Sequence, residues 1–222
     1  TANFWDQIAL IIIWRVMNKP FFYKTLSAPS GPYLFKAQKS KFWGYAFTIN
    51  SASDLKDLLT ELRKKHPKAR HFCYAWRMGT LPDQYQTKSF DDGEPNFSAG
   101  TPILGQINAF DLTQTGVIVV REFGGVKLGV GGLIQAYKET AHGVLTMAEI
   151  QEIRLTQTFK ARISHGQFQS FMSWTQKNQI NTEQLVHLSL GYELIIHVPL
   201  TLVEEFTKMW GDKKDCFWEP IL

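Results

Sequence analysis

Residues 121–138, REFGGVKLGVGGLIQAYK, set the tightest constraint on what this chain can fold into. Five glycines, Gly124, Gly125, Gly129, Gly131 and Gly132, fall within nine positions. Before them stands GVIVVR (residues 116–121), a continuous apolar run of the kind expected for a strand covered on both faces. After them Leu133, Ile134, Ala136, Tyr137, Ala141 and Val144 recur at helical spacing. A buried strand that turns through glycines into a buried helix demands a layered fold, helix against sheet. Glycines at such a junction let backbone N–H groups approach an anion at the positive end of the helix. They serve equally to permit positive φ and close helix-to-sheet packing. The phosphate fingerprints are missing, because there is no GxxxxGK[ST], and Gly129, Gly131 and Ile134 break GxGxxG. Packing is the reading the residues favour.

The remaining patterns give an α+β chain in two blocks. From Tyr33, Trp43, Tyr45, Phe47 and Ile49 fall on one face at period two, which predicts a half-buried strand after a hairpin turn at AQKS. Leu55, Leu58, Leu59 and Leu62 predict a helix, with Ser51 and Asp54 as a capping box and Pro67 as its stop. Residues 71–78 read as a strand, residues 79–98 as a loop, and Thr101 as the cap of a helix with Pro102 in its first turn. Beyond Val144 the order is strand (153–163), helix, strand (184–190), strand (193–199), helix and short strand (216–218). That is β-α-β-β-α-β, the ferredoxin-like order. The expected division is 1–16 as an extension, 17–145 as the first domain and 146–222 as the second. The apolar run at residues 8–14 is less than half the ~20 residues that span a bilayer. No membrane role is expected.

Charge points to the first block. Of 24 Lys+Arg and 20 Asp+Glu, residues 1–143 hold 17 and 11, a balance of +6, leaving 7 and 9, or −2, for residues 144–222. Attraction for an anionic partner would come from the first block. Lys36, Lys39 and Lys41 interleave with Phe42, Trp43 and Tyr45, as in a stacking platform for single strands, or simply in a hairpin with a solvated basic turn. Cys73 and Cys216 lie far apart and form no CxxC, so neither a disulfide framework nor a zinc site is indicated. A reducing, cytoplasmic setting is expected.

Three constellations bear on chemistry. Asp91, Asp92 and Glu94 are carboxylates within four positions, suited to a hard cation or a general base, or to a turn built on Asp-Gly and Glu-Pro. His71 alternates with Cys73 on one strand face, a nucleophile pair only if a third group orients the histidine, and otherwise a core or edge histidine with a satisfied hydrogen bond. Arg121 or Lys127 could pair with Asp91 or Glu94 and lock the two loops together, or Lys127 within the glycines could hold a phosphate-bearing or peptide substrate. No metal, cofactor or catalytic residue is assigned.

Taken together, ARHFCYAWRMG, DDGEPNFSAGTPI and VIVVREFGGVKLGVGGLIQAY, in this order and spacing, resemble the YigZ/IMPACT family over residues 23–145. The family pattern is close to DDGEPSGTAG, a basic residue, Pro-Ile, then RYFGG and KLGxGGL. Here Asn96, Phe97 and Ser98 replace Ser-Gly-Thr, Thr101 stands at the basic position and Glu122 at the tyrosine. The exchanged charges lower the expected affinity of the glycine loop for anions. The resemblance implies a first domain like the second domain of ribosomal protein S5 and a second like a C-terminal domain of elongation factor G. It also implies a role in regulating translation, with RNA, the ribosome or a translation-related protein as partner. The binding cleft it suggests comprises Asp91, Asp92, Glu94, Arg121, Gly124, Gly125, Lys127, Gly129, Gly131 and Gly132, with His71, Lys39 and Lys41 as accessories. The alternative is a hydrolase or phosphate-substrate enzyme using the same two loops.

Overall fold

The computed structural model describes residues 20–210, 213 and 216–221. The expected extension at 1–16 and the apolar run at 8–14 lie outside the described residues. The described residues divide into two units, Tyr23–Ile153, and residues 20–22 together with those from Arg154 onward. Both mix helices with antiparallel sheet.

The first unit is built on a five-stranded antiparallel sheet in the order β2 (Ser30–Ala37), β3 (Ser40–Thr48), β6 (Thr115–Glu122), β4 (His71–Met78), β5 (Gln86–Phe90). The apolar run at 116–121 is the central strand, β6, and its side chains alternate between two cores. Val117 and Val119 pack beneath α2 (Gly100–Ala109) and α3 (Gly129–Thr146), and Ile118 and Val120 beneath α1 (Asp54–Lys65). Trp43, Tyr45, Phe47 and Ile49 share a face as expected, the α1 face. Their strand is not half-buried, however, because its other face, Phe42, Gly44 and Ala46, lies under α3. Helices cover this sheet on both sides, where antiparallel sheets commonly leave one side wet. Gly44 makes that approach feasible, since a Cβ there would stand 3.0 Å from the Thr140 carbonyl oxygen.

Two local expectations fail. Residues 79–98 contain a 3-10 turn (Pro82–Gln84) and β5, whose residues are all exposed and which is held by its backbone ladder to β4, so no apolar period marks it. Thr101 does not cap α2. The cap position is Ala99, whose methyl group accepts nothing. At α1, whose N-cap position is Ser53 rather than Ser51 and carries no side-chain cap bond, Ser51 and Asp54 still pair, the Asp54 carboxylate accepting the Asn50 and Ser51 N–H groups and the Ser51 hydroxyl at 2.6–3.1 Å. Those bonds hold the Asp54 carboxyl below its usual value.

Residues 153–163 are two strands rather than one. β7 (Ile150–Arg154) pairs with β1 (Phe22–Leu26), and β8 (Thr156–Ser164) opens the second unit's sheet. There α4 (His165–Lys177), β9 (Asn181–Leu188), β10 (Gly191–Pro199), α5 (Val203–Trp210) and β11 (Cys216–Pro220) follow, in sheet order β11-β8-β10-β9. One face carries a core rich in aromatics, with Phe159, Phe171, Trp174, Phe206, Trp210 and Trp218. The other presents Glu193, bound to Arg162 at 2.6 Å and Lys160 at 3.0 Å. Among the described residues no helix is long and apolar enough to cross a membrane.

Candidate functional site

The acidic loop and the glycine segment meet in one buried knot. Arg121, at the end of β6, donates from Nη1 to Glu94 Oε1 at 2.7 Å, and the Tyr137 hydroxyl of α3 donates to the same oxygen at 2.8 Å. The Glu94 and Arg121 side chains are 4% and 6% exposed. A pair this dry stands because each charge meets its opposite and further bonds fill most of the shell, Arg121 Nε alone among the guanidinium nitrogens having no partner among the described residues. Ser40 supplies one, its hydroxyl oxygen accepting from Arg121 Nη2 at 3.5 Å and from the Gly124 N–H at 3.2 Å. The guanidinium also lies 5.4 Å from the Phe42 ring centroid and 5.3 Å from that of Phe123.

Each of the other two carboxylates has its own task. Asp91 Oδ1 accepts from the Ala99 and Gly100 N–H groups at 2.9 and 2.8 Å, and Oδ2 from the Phe97 N–H at 2.9 Å. It caps α2 in place of Thr101, an acidic group on the positive end of that helix. Asp92 Oδ2 accepts from the Phe72 N–H at 2.7 Å and from Arg63 at 3.5 Å. The three carboxylates therefore do not converge on a cation, and among the described residues no cluster of three or more metal-ligating side chains occurs.

His71 and Cys73 serve the same loop. The ring Nδ1 of His71 lies 2.9 Å from the Asp92 carbonyl oxygen, so the satisfied-histidine alternative holds. Cys73 donates to the Asp91 carbonyl oxygen at 2.9 Å and its sulfur lies 3.3 Å from the Tyr137 hydroxyl. Burial pushes the Cys73 thiol far above its usual value, which removes it as a nucleophile at neutral pH. Burial raises Tyr137 as well, so it stays a donor to Glu94.

The glycines divide by role. Gly124 is a packing glycine, since a Cβ there would collide with the Lys39 carbonyl at the β2–β3 turn. Gly125 and Gly129 take φ of 85° and 72°, and with Gly131 they have no atom within 4 Å of a built Cβ. Gly132 packs on Leu128. Lys39 and Lys127 are exposed, and neither has an ion-pair partner among the described residues, whereas Lys41 lies 4.0 Å from Glu122. Lys127 is thus not the partner of the acidic loop; Arg121 is. Tyr137 and Ser40 were not singled out as polar partners. Tyr137 reads as one more residue of the apolar stripe, although a buried tyrosine hydroxyl requires a partner.

Residues 38–145 match the model of the Impact N-terminal domain. The chain is 32% identical to an IMPACT family member of Haemophilus influenzae over 169 residues, which is 76% of this chain and 79% of that protein. The chain belongs to the IMPACT family. It is also 38% identical to the IMPACT family member YigZ of Escherichia coli over 100 residues, 45% of this chain and 49% of that protein. A crystal structure of a hypothetical protein shares the fold, with a TM-score of 0.68 and 24% identity, covering 91% of this chain and 98% of that one.

The departures from the IMPACT pattern fall in informative places. Glu122 points to the face opposite Arg121, where its carboxylate lies 3.5 Å from His66 Nδ1, so its charge sits near Lys41 and His66 rather than at the glycines. Phe97 stands where the pattern has glycine and adopts φ 62°, in the left-handed region that favours glycine.

Proposed function

We infer that this chain is a non-catalytic, translation-associated regulatory module that acts by binding, with RNA, the ribosome or a translation factor as its partner in a cytoplasmic setting. The observation that carries this reading is the Glu94–Arg121–Tyr137 knot. The groups an enzyme would need free for acid–base or metal work are consumed in internal bonds. What they leave facing solvent is hydrophobic and basic, namely Phe97, Phe123, Lys39 and Lys127. The net balance of +6 over residues 1–143 supports an anionic partner. Membership of the IMPACT family supports the regulatory role, since the resemblance implies regulators of translation.

The same reading assigns the first unit the arrangement of the second domain of ribosomal protein S5. It assigns the second unit a ferredoxin-like one resembling a C-terminal domain of elongation factor G; the sheet order β11-β8-β10-β9 over two helices supports the latter. Sedimentation of the purified protein with ribosomes and total RNA through a low-salt gradient tests the function. The protein is expected to travel with the ribosomal or RNA fractions and to leave them steeply as salt rises, as counterion release requires. A folded protein that stays at the top of the low-salt gradient, and that retains no translation factor, overturns it.

A further inference from the structure

Phe97 carries two penalties. Its backbone is left-handed at φ 62°, a conformation that costs a side-chain-bearing residue of order 1 kcal/mol or more. The residue is 72% exposed, second among the exposed large hydrophobic residues described. The loop does not wander into this state. Asp91 Oδ2 takes the Phe97 N–H, Ser98 donates its N–H and hydroxyl to the Pro95 carbonyl oxygen, and Glu94 three residues earlier is locked to Arg121. The ring is therefore held out into solvent by a rigid support.

A second ring has the same anchor. Phe123, 47% exposed, has its ring against the Arg121 guanidinium that binds Glu94. Beside it Gly124 packs on the backbone of Lys39, and Lys127 follows three positions after. Between and beyond them, Gly125, Gly129 and Gly131 leave the backbone open to close approach. The charges complement an anion, since the nearby carboxylates Asp91, Asp92 and Glu94 are engaged in internal bonds while Lys39 and Lys127 are unpaired among the described residues.

We propose that Phe97 and Phe123, with Lys39 and Lys127, form a stacking surface for single-stranded RNA, the rings taking bases and the lysines phosphates. Exposed rings carry a π-face that every base can use, so the surface is tolerant of sequence, and stacking needs unpaired bases. This rests on the binding-module reading above and names its partner and its face. A protein partner would use the apolar side chains Val130 and Ile134, also exposed on α3, and is the competing outcome.

The test is fluorescence anisotropy with a labelled single strand of about 12 nucleotides and its duplex form, at rising salt. Phe97→Gly relieves the left-handed strain, so it should melt no lower than the parent yet bind the single strand about tenfold more weakly or worse. Phe123→Ala should weaken binding similarly, and the duplex should bind less well than the single strand. Lys39→Gln with Lys127→Gln should flatten the log–log salt slope by about 1.4. If the parent binds RNA and these variants bind equally well, the face is wrong while the module reading survives. If the parent binds no RNA at low salt, the RNA proposal falls, and sedimentation with ribosomes or a translation factor then decides the broader reading separately. A photoreactive phenylalanine analogue at position 97 that crosslinks only to protein in cell extract also overturns the proposal.

Discussion

The first unit buries an ion pair between its sheet and helix α3, Glu94 with Arg121, whereas the second fills the equivalent layer with rings and sets ion pairs such as Glu193 with Arg162 and Lys160 on the open sheet face. Rings packed at 5.0–5.7 Å between centroids, as Phe206 is with Phe159, Trp218 and Trp174, stabilise any arrangement that excludes water. Buried charges accept only the few geometries in which opposite charges meet and most of their bonds close. The difference teaches where precision has been placed. Two loops some thirty residues apart along the chain are fixed relative to each other in the first unit, and the second unit is fixed mainly by its core.

Glu94→Ala should break this contrast most severely, because it leaves Arg121 charged and buried. A loss of about 3–5 kcal/mol is expected, read as faster hydrogen exchange of the β6 amides. Replacing both partners together, Glu94→Leu with Arg121→Met, should recover most of that loss. Single and double variants equally unstable would show that the bond geometry counts for nothing. Phe206→Ala in the second unit should cost a comparable 3–5 kcal/mol or so through the cavity it leaves. There no second substitution that removes a partner should help, and recovery on deleting Trp218 as well would erase the distinction.

Asp91→Ala comes next, at about 2 kcal/mol, for the cap of α2 and the Phe97 N–H it abandons. Asp91→Asn, which keeps an oxygen for the cap, should lose less, and denaturant midpoints of the two variants would separate the contributions. Titration sharpens the comparison further. Burial raises Tyr137 and Cys73 above their ordinary values of 10.0 and 9.0, so the unfolded chain gives up protons that the folded first unit retains. Their contribution is complete below about pH 9 and falls as pH rises beyond it, a base-side loss to be followed in the β6 amides. In the second unit the sign is opposite. Arg162 and Lys160 hold Glu193 below its ordinary 4.5, so what it contributes is present above that pH and lost as pH falls. Glu193→Gln on that exposed face should give the smallest change of all, visible only as a flatter acid limb of the melting curve.

Periodicity carried much of this architecture in the sequence. β6, α1 and α3 follow from apolar spacing, and the charge complement of the DDGEP loop and Arg121 is visible as motif. β5 was hidden because its ladder is backbone and its side chains Gln86, Thr87, Lys88 and Ser89 carry no period. The cap of α2 was hidden because Asp91 lies eight and nine positions before the N–H groups it serves, outside any local capping pattern. On charge alone Arg121 and Lys127 were equal candidates to pair with Asp91 or Glu94. Arg121 wins because β6 carries it into the interior beside Ser40 and Tyr137, while Lys127 stays on an open glycine turn.

The two oxygens of Asp91 work as a ruler. They measure six, eight and nine positions along the chain, so inserting or deleting a single residue between Glu94 and Ala99 would throw the helix start out of step. Length there is rationed more tightly than lettering: the side chains at 95–97 are exposed, although the left-handed backbone at 97 favours glycine and its N–H must stay a donor. The outward-facing letters of this loop can therefore change, within those two limits, without disturbing how it stands.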